Sequence, residues 1–442
     1  RNINVLLHEA SNQLDEVAVV STGYQRLSRE RSTGAFGFVD STKLNNQMHK
    51  DLLSSLEGQV AGLRMDINPN TGEMEPILRG IGTFSSNVGT QPLIVINDMP
   101  TNMTLADINP YIVESITVLK DAAAASIYGA LAANGVIVIT TKQPKNKNAR
   151  VTVNADWFIT SKPNFTGLDL ASSSDIIDYQ TAVYNAGVAE SGSAATFLGS
   201  FKSNYYNPLY QLYLNQEKGT VTADDVSSTV AKWRNNDYYE QYRDNAWRTA
   251  FTQRYNISIS QKADRSNHYL SFNMENDKNR SVSDKSNSFA LYYKSNYEIN
   301  KWLKVSAGID AKIANKNTPY NSYTNYDMQQ RYEQILDTDG NRYISPYVNV
   351  SGYSGGAYNG SVVSQYEGVS PYKSFGFNVL NSLDESITKT HNVSLRPFVS
   401  LEAKFLNMFK YNFLYQYEWS QNKTEQYDAE DSYQMRMTCN SM

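Results

Sequence analysis

The sequence predicts a mainly β protein, in which a small domain of mixed strands and short helices precedes the strands of a transmembrane antiparallel β-barrel. Three observations carry this. After Arg150, stretches of roughly ten residues alternate apolar and polar side chains, the pattern of a wall with one lipid face and one wet face. Their connections alternate short and long, whereas those of a soluble sandwich need not sort by length. Aromatics reach 12%, with 32 tyrosines, while hydrophobic residues make up only 40%, a balance suited to β-structure with aromatic belts rather than to a large helical core.

Composition excludes several functions. A net charge of −4 supplies no basic footprint for nucleic acid. Cys439 is the only cysteine, so neither a disulfide framework nor a cysteine metal cluster is expected, and the four histidines show no metal-ligand spacing. No apolar run is long enough for a transmembrane helix, which leaves a soluble protein or a barrel. The chain opens on Arg1 with no leader and ends at Ser441 and Met442 without a terminal aromatic, so it is read as part of a longer protein.

In chain order, Asn2 to Leu7 alternates loosely, as the last strand of a preceding domain would. Asp15, Glu16, Val17, Ala18, Val19 and Val20 form an acidic pair leading into an extended run. With Thr22, Gly23 and Tyr24 after it, this run suits strand addition to a partner's sheet. From Asp51 to Leu63, Leu52, Leu53, Leu56 and Val60 fall near helical spacing, with Gly62 read as the C-terminal cap. Ile77 to Gly82 reads ILRGIG. Arg79 among apolar neighbours is expected to form a structural ion pair, since an unpaired buried charge is costly. Gly80 and Gly82 lack the lysine of a phosphate loop.

Pro92 to Pro100 reads as a buried strand entering a turn at Asn97 and Asp98. Val113 to Leu119 is β-branched and extended, and Asp121 is placed to cap an alanine run. Gly129 and Gly135 bracket a short segment before the apolar strand Val136 to Thr141. After the polar PKNKN linker, Arg150 to Ser161 alternates as a half-exposed strand. The stretch on to Asp244 reads as loop-like, with a helix around Ser174 to Ala186.

Further strands run through Tyr255 to Ile259, Leu270 to Met274, Phe289 to Ile299, Leu303 to Ile313, Val393 to Ala403 and Phe409 to Trp419, about seven with the first. Short turns at Asp264 to Asn267, Asn300 to Trp302 and Lys404 to Met408 contrast with the long connection Ala314 to Ile387. That connection is rich in tyrosine, including Tyr320, Tyr323, Tyr326, Tyr353 and Tyr358, flat amphipathic surface suited to stacking on a sugar or holding a peptide side chain. Asp337, Asp339 and Asn341 hint at a calcium loop, but the distal glutamate is missing and a tight turn is expected instead.

The run Val113 to Lys142 closely resembles the plug-domain signature of the SusC/RagA family of TonB-dependent outer-membrane transporters. Glu114, Ser115, Ile116, Leu119, Lys120, Asp121, Tyr128, Gly129, Asn134, Gly135 and the closing ITTK stand at its positions. Leu131 departs from it, since the family usually has arginine there. The segment Asp15 to Tyr24 resembles the TonB box with one extra residue before Thr22, and ILRGIG resembles the plug's IRGIG.

The resemblance implies a barrel of about 22 strands with the plug in its lumen, of which this chain holds the first part. It divides the chain into the tail of a carboxypeptidase-regulatory-like domain (1–10), the TonB box and linker (11–31), the plug (32–145) and the first part of the barrel with its extracellular loops (149–442). It marks the box (Asp15 to Val20, Thr22, Gly23, Tyr24) and the plug motif (Arg79, Gly80, Glu114, Lys120, Asp121, Tyr128, Gly129, Asn134, Gly135) as functional. It implies no enzyme activity and no cofactor. The implied partners are TonB with ExbB and ExbD, a SusD/RagB-like lipoprotein, outer-membrane lipid, and a glycan or peptide substrate. Two other readings stay open: a receptor that mainly signals, and a soluble β-rich carbohydrate-binding protein, which would need paired carboxylates in a cleft to be hydrolytic.

Overall fold

A computed structural model describes residues 19–21, 26–28, 36–45, 48–67, 74–78, 91–120, 126–165, 167–200, 207–320, 324–346, 365–406 and 408–441. Its first element is a short antiparallel pair, β1 (Val19–Ser21) with β2 (Arg26–Ser28).

The small domain is built on a five-stranded mixed sheet. Its strands are β3 (Phe36–Asp40), β6 (Leu93–Ile96), β7 (Met99–Thr101), β8 (Val113–Leu119) and β9 (Val136–Thr141), in the order β3-β8-β9-β6-β7. β8 and β9 are the two apolar strands expected from the sequence. Ile116, Val118, Ile137 and Ile139 are fully buried on one face and Leu119, Val136 and Val138 on the other, so both strands are covered on both faces. β6 turns into β7 through Asn97 and Asp98, with φ of 48° and 73°, the left-handed pair a tight hairpin demands and these residue types tolerate.

β4 (Leu63–Ile67) and β5 (Met74–Leu78) form a separate hairpin, and α1 (Ser41–Asn45) follows β3. The helix expected from Asp51 to Leu63 is shorter: α2 spans Leu52–Leu56, with the Asp51 carboxylate accepting from the Ser54 N–H at 2.7 Å. Gly58 and Gly62 take φ of 70° and 81° in the turns beyond, so Gly62 enters β4 rather than capping a helix, and Val60 is buried from a turn. Asp121 to Ala125 lie outside the described residues. The chain between them and β9 includes a 3-10 segment, Ser126–Ala132, broken at Gly129 with φ 62°.

Beyond the linker stands one large antiparallel sheet, β10 (Arg150–Thr160), β11 (Ala250–Lys262), β12 (Ser266–Lys278), β13 (Lys285–Asn300), β14 (Leu303–Pro319) and β15 (Ser386–Phe405), each paired with the next. β16 (Phe409–Gln416) and β17 (Trp419–Asp428) both pair with β15, one along each half, so together they make a single interrupted seventh strand. Where alternation predicts one strand over Phe409 to Trp419, the pairing breaks at Tyr417 and Glu418. The turn expected at Asp264 to Asn267 is residues 263–265.

Alternation sorts the faces as expected. On β11, Tyr255, Ile257 and Ile259 are exposed outward, while Thr252, Arg254 and Asn256 are buried inward. Val151, Val153, Phe272, Leu291, Ile313 and Phe413 continue the exposed apolar face. An apolar outer belt and a polar inner face mark a lipid-facing wall. Ile257→Arg at this belt is expected to cost about 2–4 kcal/mol of unfolding free energy in lipid vesicles. An unchanged value would place this face against protein instead. Among the described residues no helix is long and apolar enough to cross a membrane, which says nothing about strands.

The long connections are folded, not loop-like. Residues 161–249 hold α3 (Ser173–Ser191), α4 (Ala194–Gly199), α5 (Pro208–Glu217), α6 (Ala223–Arg234) and α7 (Tyr238–Ala246). Ser172 with Asp175, and Thr222 with Asp225, form capping boxes at the starts of α3 and α6. The second connection adds α8 (Val379–Glu385), and α9 (Tyr433–Ser441) comes after β17. Tyr238, Met328, Phe377, Leu383 and Tyr433 bury together, uniting both connections in one lobe.

Candidate functional site

The inner wall and the small domain share one interface. Tyr269, Tyr292 and Phe398, inward residues of β12, β13 and β15, belong to the same buried apolar cluster as Ile94, Ile96, Met99 and Ile139 of the small domain. Gly308 makes room for this: a Cβ there would stand 2.4 Å from the Phe398 ring and 2.4 Å from the Tyr293 carbonyl oxygen. The small domain is therefore packed into the concave side of the sheet.

Polar ties surround that contact. The Asn97 side chain accepts from the Thr141 N–H at 3.1 Å and from its hydroxyl at 3.0 Å. It also donates to the Tyr292 hydroxyl at 3.2 Å, and Tyr292 in turn donates to Thr141 Oγ1 at 2.9 Å. This closes a ring across two residues of the small domain and one of the wall. Arg254 on β11 pairs with Glu275 at 2.7 Å and donates to the carbonyls of His49 (3.3 Å) and Lys50. Lys50 reaches Asp277 at 3.4 Å.

Lys312 pairs with Asp107 at 3.0 Å. Burial opposes the charge on Asp107, but Lys312 and the Thr104 hydrogen bonds outweigh it and hold the carboxyl below its ordinary range. Tyr111 donates to Asp156 on β10, and burial together with that carboxylate pushes its hydroxyl pKa well up. Burial lowers the Lys142 ammonium, with Glu114 opposing.

The residues singled out from sequence do not gather in one place. Val19 and Val20 lie in β1, opposite Ser28 and Leu27. Asp15, Glu16, Val17, Ala18, Thr22, Gly23, Tyr24, Arg79, Gly80 and Asp121 lie outside the described residues, as do Tyr323, Tyr353 and Tyr358. Glu114 pairs with Lys145 at 3.2 Å, and the Lys120 stem lies near Gly37 of β3. Tyr128 is buried among Val95, Leu119, Val136 and Val138. Gly135, at φ 90°, sits against Leu78, and Asn134 is half-buried in the turn before it. These motif residues pack the small domain together and do not converge on a cleft.

Tyr320 is exposed at the end of β14, its N–H on the Ser386 carbonyl. Tyr326 joins an aromatic nest with Phe165, Tyr239 and Trp247, at centroid distances of 5.1–6.4 Å. Beneath the nest Arg331 pairs with Asp237 at 2.7 Å and stacks over Tyr239. Burial raises the Tyr242 hydroxyl to about 12, with Asp327 adding to it. Asp337 accepts from the N–H groups of Asp339 and Asn341 at 2.9 and 2.8 Å, which is the tight turn expected there. Among the described residues no three His, Cys, Asp or Glu side chains gather to hold a metal. Sequence reasoning missed the wall residues Arg254, Glu275, Tyr292 and Lys312, whose only signal was a charge or a polar tip on the inward phase of a strand.

A folded domain held inside the concave face of a lipid-facing antiparallel sheet defines a plugged barrel. Residues 28–136 match the model of the TonB-dependent Receptor Plug Domain. The chain is 40% identical over 153 residues to TonB-dependent receptor P39 of Formosa agariphila, covering 34% of this chain and 14% of that protein. It is 35% identical over 155 residues to TonB-dependent receptor SusC of Bacteroides thetaiotaomicron, covering 33% and 15%. The matched stretch is thus about one seventh of these relatives' length. In fold, the chain is similar to the RagAB peptide importer in its 'open-open' state, with a TM-score of 0.66 at 20% identity, over 92% of this chain and 43% of that one. Residues 28–136 are thus a TonB-dependent receptor plug domain, and the chain is similar to SusC/RagA-type TonB-dependent transporters over that plug and part of a barrel.

Proposed function

We propose that the protein imports an oligosaccharide or oligopeptide across the bacterial outer membrane, energised through TonB, ExbB and ExbD, with a SusD-like lipoprotein at its extracellular face. The carrying observation is the seating of the plug. It meets the wall through hydrogen bonds and ion pairs around a limited apolar contact, so it is a separable stopper rather than a continuation of the barrel core. Upstream of it, Asp15 to Tyr24 serves as the box to which a periplasmic partner adds a strand. The lobe built from the two long connections, with Tyr320 and Tyr326 at its base, faces the substrate. The similarity to a peptide importer favours neither substrate class for this chain, since it rests on fold alone.

The test is uptake of labelled oligomers by cells carrying the full-length protein, with and without a protonophore. Uptake is expected to stop when the protonmotive force collapses, while binding at the cell surface persists. Uptake that continues unchanged would remove energy coupling from the reading.

A further inference from the structure

The outward face of the wall changes character toward the end that carries the long connections. Strand register orders its outward residues into rows running across β12, β13, β14, β15 and β17. Met274, Phe289, Ile313 and Val393 form a row of the apolar belt. The next row outward is Asn276, Asn287, Asn315, His391 and Lys423. Its side chains are knit together: Asn315 donates to Asn287 at 2.9 Å and accepts from His391 Nδ1 at 2.6 Å. The row beyond that is Lys278, Lys285, Asn317, Lys389 and Glu425.

This last row is electrostatically unbalanced. Lys278 and Lys285 are direct cross-strand partners, both exposed, and like charges so placed repel. Neighbouring strands stand about 4.8 Å apart, well inside the ~8 Å screening length of physiological salt, so the repulsion is felt. Glu425 is the one carboxylate in the two polar rows, and it is paired with Lys423 at 2.7 Å. Asp284, in the turn between the two lysines, accepts from Asn279 Nδ2 at 3.0 Å. Among the described residues no carboxylate forms an ion pair with Lys278, Lys285 or Lys389. Lys389 lies over the exposed Tyr427 ring instead, 5.8 Å from its centroid. Three lysines thus stand uncompensated in a chain whose net charge is −4.

Taking the lipid-facing wall and its orientation from the import reading, we propose that this strip is a docking surface for the phosphate-bearing headgroup of a lipid in the outer leaflet. Lys278, Lys285 and Lys389 supply the charge, which for a phosphate a lysine does as a point donor. The amide row beneath supplies donors and acceptors for the ester and hydroxyl groups of the headgroup. The acyl chains lie over Met274, Phe289 and Ile313. The occupant has to be amphipathic, because the charged row continues the apolar belt with only one polar row between them. Lysine suits the place, since its apolar stem rests along a greasy surface while its ammonium reaches the headgroup level.

The test uses the full-length protein in phosphatidylcholine vesicles carrying a trace of spin-labelled phosphatidic acid or of spin-labelled phosphatidylcholine. Electron spin resonance reads the motionally restricted fraction of each. The parent is expected to prefer the phosphate monoester on the order of five-fold or more, about the worth of one lysine at an anionic surface. That preference is expected to vanish in about 1 M salt, where the screening length falls to about 3 Å. Replacing all three lysines by glutamine is expected to bring the two lipids to parity, and replacing them by arginine to keep the preference. Lys285→Glu alone, which gives Lys278 a partner within the protein, is expected to lose most of it. No preference in the parent, one that survives the salt, or one that both the glutamine and Lys285→Glu variants keep overturns the proposal. A parent that inserts but shows no preference removes this proposal alone, whereas a parent that does not insert removes the import reading with it.

Discussion

Deleting residues 15–24 from the full-length protein is expected to reduce energised uptake to the passive background while leaving substrate binding at the cell surface intact. The segment offers a partner main-chain hydrogen bonds, and side chains of modest size contribute less to such strand addition than the backbone does. Val19→Pro is the sharper version, because proline removes one donor and fixes φ without shortening the chain. In the structure Val19 and Val20 already pair with Ser28 and Leu27, so one edge of β1 is occupied and a partner strand must use the other or displace β2. If Val19→Pro transports at the unmodified rate, backbone pairing at this strand is not the coupling contact.

The second large effect is at Gly135. Its φ of 90° is strained for any side chain, and a Cβ would stand 2.2 Å from Leu78 Cδ2 and 3.2 Å from the Leu119 carbonyl oxygen. The left-handed backbone costs a side chain about 1–2 kcal/mol, and overpacking a core about 1–3 kcal/mol more. Gly135→Val is therefore expected to destabilise the plug by about 2–5 kcal/mol, seen as rapid proteolysis of the plug in a barrel that still inserts. Adding Leu78→Ala to Gly135→Ala should relieve the steric part and leave the backbone part. A Gly135→Val plug as protease-resistant as the parent would show that the turn relaxes freely.

The barrel strands were legible because a period of two survives any tertiary context that wets one face and greases the other. β8 and β9 were legible as β-branched apolar runs with no room for a helix. Between β10 and β11 only α3 was legible, as the helix read around Ser174 to Ala186; α4 to α7 were not, since each buries three residues or fewer and shows too thin an apolar stripe. The capping signals at Ser172, Ser193, Asn207 and Thr222 were there to be read, with aspartate rather than glutamate completing both boxes. Between Asp51 and Leu63 the helical spacing of Val60 misled, because Gly58 ends the run before it.

The plug–wall partners lay beyond sequence altogether. Arg254 meets Lys50 across 204 positions and Tyr292 meets Thr141 across 151, and no local pattern encodes such a pairing. Of the motif residues most conspicuous in the sequence, Tyr128 and Gly135 serve the plug's internal packing and Gly129 kinks the 3-10 segment at φ 62°. On the wall side the interface is made by residues with no motif around them, and on the plug side Ile139 and Thr141 of the closing ITTK meet it.

The place of β3 in the plug sheet has a mechanical consequence. It is an edge strand, zipped to β8 alone by five residue pairs from Phe36–Leu119 to Asp40–Ser115, and it is the first plug strand after the box. On the proposed import reading, a pull arriving from the box loads that ladder before any other in the plug sheet. β3 can unzip while the β8-β9-β6 centre and its fully buried isoleucines stay closed, as local opening in a weak unit does elsewhere. On that reading the extended chain so released lengthens the line to the partner, and relaxation of the load lets the same five pairs re-form on an unchanged template. A plug built this way gives at one seam and resets, instead of unravelling whole.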